Sequence, residues 1–467
     1  MGDADDIREW LDAHRDDLLA ELIGWVRLRS VMGPPEAAIE LKRSAQWLAG
    51  TLREIGFPTV EVWTTDGGPA VFAEWPAAAS AAPTVLVYGH HDVREAKDET
   101  WEQTPPVEPT LRDGRLYGRG TSDAKGQVLA HLWGLRAWLA RGHDAPPVTL
   151  KMIVEGEEER GSPHLAELLE QHRDRVAADL VVLSDTMLWT ADAPAVCTAT
   201  RGILQAKLEV MGPLTDIHAG VVAGVAPNPV TELARLLGEL HDDDGRVALP
   251  GFYDAVRQVP PEERAALDDL PWDDEEWTAR TRTRSVAGER GWTPIERLWL
   301  RPAAEVTAVV AGDVEGATRG VIPSLATASV QLHLVPDQDP TEAGAQLRRW
   351  VEQRISDRVA WSLTVSDEVG QPAYETPRGH PALALLADAM SQAFGIKAGR
   401  MRNGGSGPAT LLADKAGAPV VFFGTGLPED RWHDSDESVR VDVLLNGAAT
   451  MALFWPALAA AATSPDR

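Results

Sequence analysis

Four short stretches of this chain end an apolar run with residue types that bind metal ions. They are VLVYGHHDV at 85–93, LYGRGTSDAKG at 116–126, MIVEGEEERGS at 152–162 and VVLSDT at 181–186. Together they supply His90, Asp92, Asp123, Glu158, Glu159 and Asp185, and His433 adds an imidazole near the C-terminus. Imidazole and carboxylate suit divalent zinc or manganese, and the donor types do not choose between the two. A pair of such ions about 3.5 to 4 Å apart polarises a carbonyl, lowers the pKa of water and clamps a tetrahedral intermediate. The chemistry within reach is hydrolysis of an amide.

These groups need elements that bring them to one place. Val85, Leu86, Val87 and Tyr88 form a short apolar run ending at Gly89, the pattern of a buried parallel strand at its carboxyl end, where ligands collect in open α/β sheets. Side chains two apart on an extended segment share a face, so His90 and Asp92 stand side by side and His91 points away. That suits a ligating imidazole oriented by a neighbouring carboxylate. The runs 152–154 and 180–183 repeat the pattern and deliver Glu158, Glu159 and Asp185 to the same edge. Asp123 follows the turn Gly118-Arg119-Gly120 and precedes a helical stretch from Gln127 to Leu139, and its two oxygens can bridge two cations. Adjacent glutamates on extended chain point apart, so one can ligate while its neighbour reaches a water. Spacing does not say which, and Glu157 is a third carboxylate that spacing leaves open.

In these motifs the chain resembles the M20 metallopeptidases, within them the carnosinase-like and cytosolic non-specific dipeptidases. The resemblance rests on YGHHDV, DGRLYGRGTSDAKG, EGEEERGS and SDT, and later on DIHAGVVAG, ALPGFYD, VIPSLATASVQLHLVP, RNGGSGP and His433, in this order over nearly the whole chain. It implies that His90 and Asp185 bind one metal, Glu159 and His433 the other, and Asp123 bridges them. Asp92 then holds His90, and Glu158 is the general base that takes a proton from a water between the metals and hands it to the leaving amine. His218, in DIHAG, matches a histidine that reaches across a homodimer to the partner's site and opposes oxyanion charge. Asn228 matches a neighbouring lid residue. Arg402, Gly404, Gly405 and Ser406 offer amides and a hydroxyl to a substrate carboxylate. The implied fold is α/β, a catalytic domain with a mostly parallel sheet flanked by helices, plus an inserted smaller α+β, ferredoxin-like lid and dimerisation domain. The expected division is 1–202 and 377–467 for the catalytic domain and 203–376 for the lid.

Two positions depart from the family pattern. His333 stands where relatives carry an arginine that forks onto the substrate carboxylate, and a histidine cannot reproduce that bidentate contact. It shares a strand face with Thr327, Ser329 and Gln331, so it is expected to face the cleft. Gly320 stands where relatives often have threonine. The expected substrate is therefore a dipeptide or short peptide-like amide, with N-acyl amino acids or modified metabolite amides as the alternative on the same scaffold. A non-catalytic dimeric binding protein would have lost a ligand or Glu158, and all are present.

The length of 467 residues predicts two domains with ample core. A net charge of −27 repels phosphate backbones and argues against a nucleic-acid partner. The single cysteine, Cys197, excludes an internal disulfide framework and fits a reducing cytoplasm. Ile7, Trp10, Leu11, Leu18, Leu19, Leu22 and Val26 predict one amphipathic N-terminal helix rather than a signal peptide, and no stretch reads as a membrane span. Alternation at 204–210 and 326–334 predicts half-buried strands of the lid, with a helix over 228–240 between them. The acidic run 260–277 reads as a solvated surface insertion. The 17 tryptophans are scattered core and interface residues, with positions near Trp189 or Trp432 placed to line a pocket.

Overall fold

A computed structural model describes residues 3–31, 33, 37–97, 100–268, 270–312, 319–366 and 370–463. Its main sheet has six strands: Thr59–Trp63, Ala70–Trp75, Thr84–His90, Thr149–Glu155, Leu180–Ser184 and Val420–Phe423. The last four run parallel to one another, and the first two add an antiparallel edge, so the sheet is mixed. His90 lies opposite Glu155, and Phe423 opposite Ser184, so the parallel strands end at one edge.

Alternate residues of these strands enter opposite layers, as a two-residue period requires. Val85, Val87, Met152, Val154, Val182 and Phe423 pack with Leu129, Trp133, Phe454 and Trp455 of helices Lys125–Leu139 and Val441–Ala462. Leu86, Tyr88, Ile153, Val181 and Phe422 pack instead with Leu165, Leu168 and Leu412 of helices Leu165–Gln171 and Ala409–Ala416. Gly134 lets the first two helices touch, because a Cβ there would stand 2.5 Å from the Ala448 carbonyl oxygen.

Two expectations need correction on this side of the molecule. The N-terminal pattern forms two helices, Asp3–Ala13 and Arg15–Val26, which meet at His14. Ile7, Leu11, Leu18, Leu19, Leu22 and Val26 are all buried, so the apolar face was legible and the break was not. Among the described residues one helix, Val441–Ala462, is long and apolar enough to span a bilayer, contrary to the sequence reading. Within that helix 72% of the most apolar window is buried, so its composition is that of a central core helix.

The second sheet is antiparallel, in the order Ala303–Ala311, Leu325–Leu334, Gly202–Met211, Ala360–Val365. Helices Pro229–Gly238 and Pro340–Arg354 cover one face, burying Leu233, Leu236, Leu347 and Trp350 on Leu204, Leu208 and Leu332. The chain order strand, helix, two strands, helix, strand is the ferredoxin-like arrangement. Tyr374 and Glu375 leave this sheet and pair with strand Ala195–Thr200, which also carries Gly399–Asn403.

The acidic segment is not a solvated insertion. Leu267 and Leu270 are 9% and 6% exposed and join the core beside Trp189, Trp299 and Met401. Trp272 and Trp277 stack near Trp189, with ring centroids 5.8 and 5.9 Å away. A few apolar anchors thus override the charge between them. Asp269 of that run lies outside the described residues.

Candidate active site

The edge formed by the parallel strand ends gathers two clusters, each with donor atoms close enough to hold one metal ion. His90, Glu158 and Asp185 make the first, and Asp123, Glu159 and His433 the second. Asp123 joins them, since its Oδ1 lies 3.1 Å from His90 Nε2 and its Oδ2 3.1 Å from His433 Nε2. His433 Nε2 is also 3.2 Å from Glu159 Oε2, and Asp185 Oδ1 is 3.7 Å from His90 Nε2. His433 adopts the left-handed backbone region, with φ of 62°, a strained conformation that clusters at functional sites.

Several of these atoms lack ordinary partners. Asp123 Oδ2 and Asp185 Oδ1 are buried and, among the described residues, accept no hydrogen bond of proper geometry, while Glu159 Oε2 meets the Arg94 guanidinium at 2.8 Å. Buried unpaired carboxylate oxygens are costly unless a cation meets them. The residues therefore fit two divalent ions, with a donor set suited to zinc or manganese.

Electrostatics tell the same story. Burial drags the His433 pKa down, but Asp123 and Glu159 outweigh it and hold it at about 10. Burial likewise opposes protonation of His90, and Asp123, Asp185 and Asp92 raise it well above its usual value. Glu158 is raised well above the carboxylate range by burial, reinforced by Asp185. Without other cations, protons on the two histidines balance the carboxylates. Metal ions take over that role when they displace protons from such ligands.

Neighbouring groups fix the backbone beneath the site. Asp92 accepts the amides of Glu158 and Glu159 at 3.2 and 3.1 Å and lies 3.4 Å from His90 Nδ1. His91 turns away to the Pro69 carbonyl oxygen at 2.8 Å. Glu157, left open by spacing, accepts from Gly68 N at 2.8 Å and contacts His164 Nδ1 at 3.0 Å, and it belongs to neither cluster.

Sequence reasoning missed three buried acids that brace these elements. Glu437 accepts the amides of Gly120, Ser122 and Asp123, each at 3.0 Å, and Arg119 Nη1 at 2.8 Å. Asp430 accepts from Ser122 Oγ at 2.8 Å and Leu427 N at 2.9 Å. Glu155 accepts from Tyr88 and Ser162 hydroxyls, and burial pushes its pKa up to about 8. Nothing in the local sequence marks the first two, because their partners on the Asp123 turn lie some 300 residues away.

The clusters open into a cleft of about 530 Å³, within the usual range for small-molecule sites. Arg402, Gly404, Gly405 and Ser406 line it as expected from their loop, and so do Trp189 and Trp432. The lid sheet contributes Gln205 and Gln331. His333, on the same strand face as Gln331, is not among the lining residues, and burial with the Arg201 charge lowers its pKa to about 4. Asn228 caps helix Pro229–Gly238, accepting from Val230 N at 2.9 Å, outside the cleft lining. His218 is exposed on the lid, with Nδ1 accepting from Gly220 N at 3.1 Å, and does not reach this chain's cleft lining.

Known proteins share this architecture. The Beta-Ala-His dipeptidase of Rattus norvegicus is 29% identical over 97% of this chain and 95% of its own length. The cysteinylglycine-S-conjugate dipeptidase of Corynebacterium striatum is 28% identical over 92% of each chain. The crystal structure of human carnosine dipeptidase 1 superposes with a TM-score of 0.85 at 28% identity, covering 98% of this chain and 99% of that one. The dipeptidase Dug1p of Saccharomyces cerevisiae, at 22% identity, shares the fold with a TM-score of 0.88 over 100% of both chains. The model of peptidase family M20/M25/M40 matches residues 86–456, and the chain belongs to that family of metallopeptidases.

Proposed function

We propose that this protein hydrolyses the amide bond of dipeptides or short peptide-like substrates with two divalent metal ions, zinc or manganese. The observation that carries the reading is the approach of the carboxylate of Asp123, within the second ligand cluster, to His90 of the first, which also includes Glu158. His90 and Asp185 would hold one ion, Glu159 and His433 the other, and Asp123 both. When bound, such ions supply positive charge that polarises the scissile carbonyl and acidifies water. The Glu158 carboxylate takes the proton of the attacking water and returns it to the leaving nitrogen. Asp92 keeps Glu158 and His90 in place through its contacts with both. The loop from Arg402 to Ser406 orients the substrate.

The reading extends to a homodimer in the cytoplasm, with catalytic parts 1–202 and 377–467 and a lid at 203–376. Support for a second copy comes from exposed apolar residues on the lid. Val306, Val309 and Val310 are 39%, 54% and 53% exposed on edge strand Ala303–Ala311, and Leu214, Val221 and Val225 are more exposed still, around His218. Unpaired apolar edges and patches of this kind mark interaction surfaces. His218 and the nearby Asn228 would then serve the partner's cleft.

Amides other than ordinary dipeptides, among them modified metabolite amides and N-acyl amino acids, form a second reading, because His333 stands outside the cleft lining with a pKa lowered to about 4 and supplies no guanidinium fork for a dipeptide's carboxylate. The test is to strip the protein of metal, reload it with zinc or manganese, and assay dipeptides, β-alanyl dipeptides, N-acyl amino acids and carboxylate-blocked dipeptides together. Metal-dependent cleavage of dipeptides that blocking abolishes supports the first reading. Preference for acyl substrates selects the second, and silence on all four classes rejects both.

A further inference from the structure

We propose that the cleft carries a subsite for a flat, uncharged aromatic group of the substrate, formed by Trp277 and Trp432. The inference rests on the amide hydrolysis proposed above and names the substrates it favours.

Four tryptophans line the cleft: Trp189, Trp277, Trp299 and Trp432. Trp189 and Trp299 are each only 3% exposed, and they form the backing. Trp277 and Trp432 are half-buried, so theirs are the ring surfaces a ligand can cover. Both are fixed. The Trp277 ring stacks on Trp189 at 13° between planes. One turn on, Arg280 donates to the Trp189 carbonyl oxygen at 2.8 Å and pairs with Glu429 at 3.2 Å. That ties helix Asp274–Thr281 to the turn Pro428–Asp430, which leads to Trp432 and the ligand His433. Trp432 Nε1 donates to Ser122 Oγ at 2.8 Å, and Ser122 adjoins the bridging Asp123. Its ring occupies the space a Cβ on Gly426 would need, 2.3 Å from Cζ2.

The charges in the cleft define the occupant. Among the described residues, every carboxylate that lines it, from Asp123, Glu158, Glu159 and Asp185, belongs to the metal clusters. The cations are Arg94, 2.8 Å from Glu159, and Arg402, 3.2 Å from Glu375. The remaining polar wall is neutral, with Gln205, Gln331, Gln371 and Asn403. Among the described residues, a lysine or arginine side chain meets no carboxylate there outside the metal set. An indole or phenyl ring finds rigid aromatic faces, which favour offset or edge-on packing.

The test uses the full-length protein loaded with zinc or manganese and the peptides Ala-Ala, Ala-Trp, Trp-Ala, Ala-Lys and Lys-Ala. One tryptophan isomer should exceed Ala-Ala in kcat/KM by about tenfold or more, the scale of burying one aromatic side chain. Neither lysine peptide should gain. Trp277→Ala should shrink the tryptophan advantage to about threefold or less, and Trp277→Phe should keep most of it. Should Trp277→Ala not fold, Arg280→Ala, which unties the helix, should narrow the same ratio. Equal kcat/KM for all five peptides, or variants that lower every rate alike, would overturn the subsite. If no peptide is cleaved, the hydrolase reading fails first. The subsite is then judged by calorimetry of N-acetyl-tryptophanamide on the wild type and Trp277→Ala, where equal affinity rejects it.

Discussion

Asp92 and Glu158 are joined through the backbone, the Asp92 carboxylate accepting the Glu158 amide at 3.2 Å while its second oxygen takes the Glu159 amide at 3.1 Å. One side chain therefore sets the position of a candidate base and a candidate ligand together. Asp92→Asn replaces one acceptor with a donor that faces a backbone N–H. Metal affinity or kcat should fall about 10- to 100-fold, the usual loss when a partner of a ligand is removed. Metal titration and steady-state kinetics on one preparation read both, and wild-type values for both would remove Asp92 from this role.

Glu158→Gln should bind two metal ions per chain and lose about 10²- to 10⁴-fold in kcat, because the amide cannot carry the proton. Substantial turnover by the variant would transfer the base role to another group. Loss of one ion would instead make Glu158 a ligand beside His90 and Asp185.

Glu437 is fully buried and meets four donors on the Asp123 turn. Glu437→Gln keeps the volume but turns an NH₂ group toward backbone N–H groups and leaves Arg119 without its ion pair. Breaking a buried pair in this way costs about 3–5 kcal/mol. Denaturant unfolding should register that loss, with weaker metal binding because the turn carries the bridging carboxylate. A change below about 0.5 kcal/mol would show that the turn holds itself.

His131, in helix Lys125–Leu139, is fully buried against Phe423 and Trp455, and neither ring nitrogen has a partner among the described residues. Burial lowers its pKa from 6.5 to about 3. Between these values the unfolded chain binds more protons, so the stability this residue allows is complete above pH 6.5 and is lost as pH falls toward 3. At pH 5 the loss is roughly 2 kcal/mol. His131→Leu should remove that share of the difference between unfolding free energies at pH 7.5 and pH 5. An identical difference in both proteins would show that other groups set the acid response.

Three metal-side residues, His90, Glu158 and Asp185, were legible because each follows a largely apolar strand, whereas Asp123 and His433 sit after turns and took their place from the motif order. His90, Glu158 and Asp185 need only the ends of three adjacent strands to meet. The two-residue period also placed His91 correctly, away from its neighbours. Glu437 and Asp430 escaped notice because their partners are distant in sequence and their surroundings, rich in aspartate and serine, look like any surface loop. Trp277 was missed for a related reason. Its acidic helix has no buried residues of its own, so no apolar stripe announces it, and only docking beside Trp189 reveals its place. For His333 the strand alternation was right, yet Gln331 two residues earlier is the one that lines the cleft. Period assigns a face, and the cleft uses only part of that face.

The ion pair of Arg280 with Glu429 makes one further point. It is the seam between one wall of the cleft and the turn that leads to its metal-binding centre. His90, Glu158 and Asp185 hang on strand ends whose displacement would unmake the core, whereas Trp277 comes from a stretch of chain between two lid strands that is anchored beside Trp189 by Leu267, Leu270 and Trp272. On the subsite proposed above, a change at Trp277 would alter which molecules are admitted and leave His90, Glu158 and Asp185 in place.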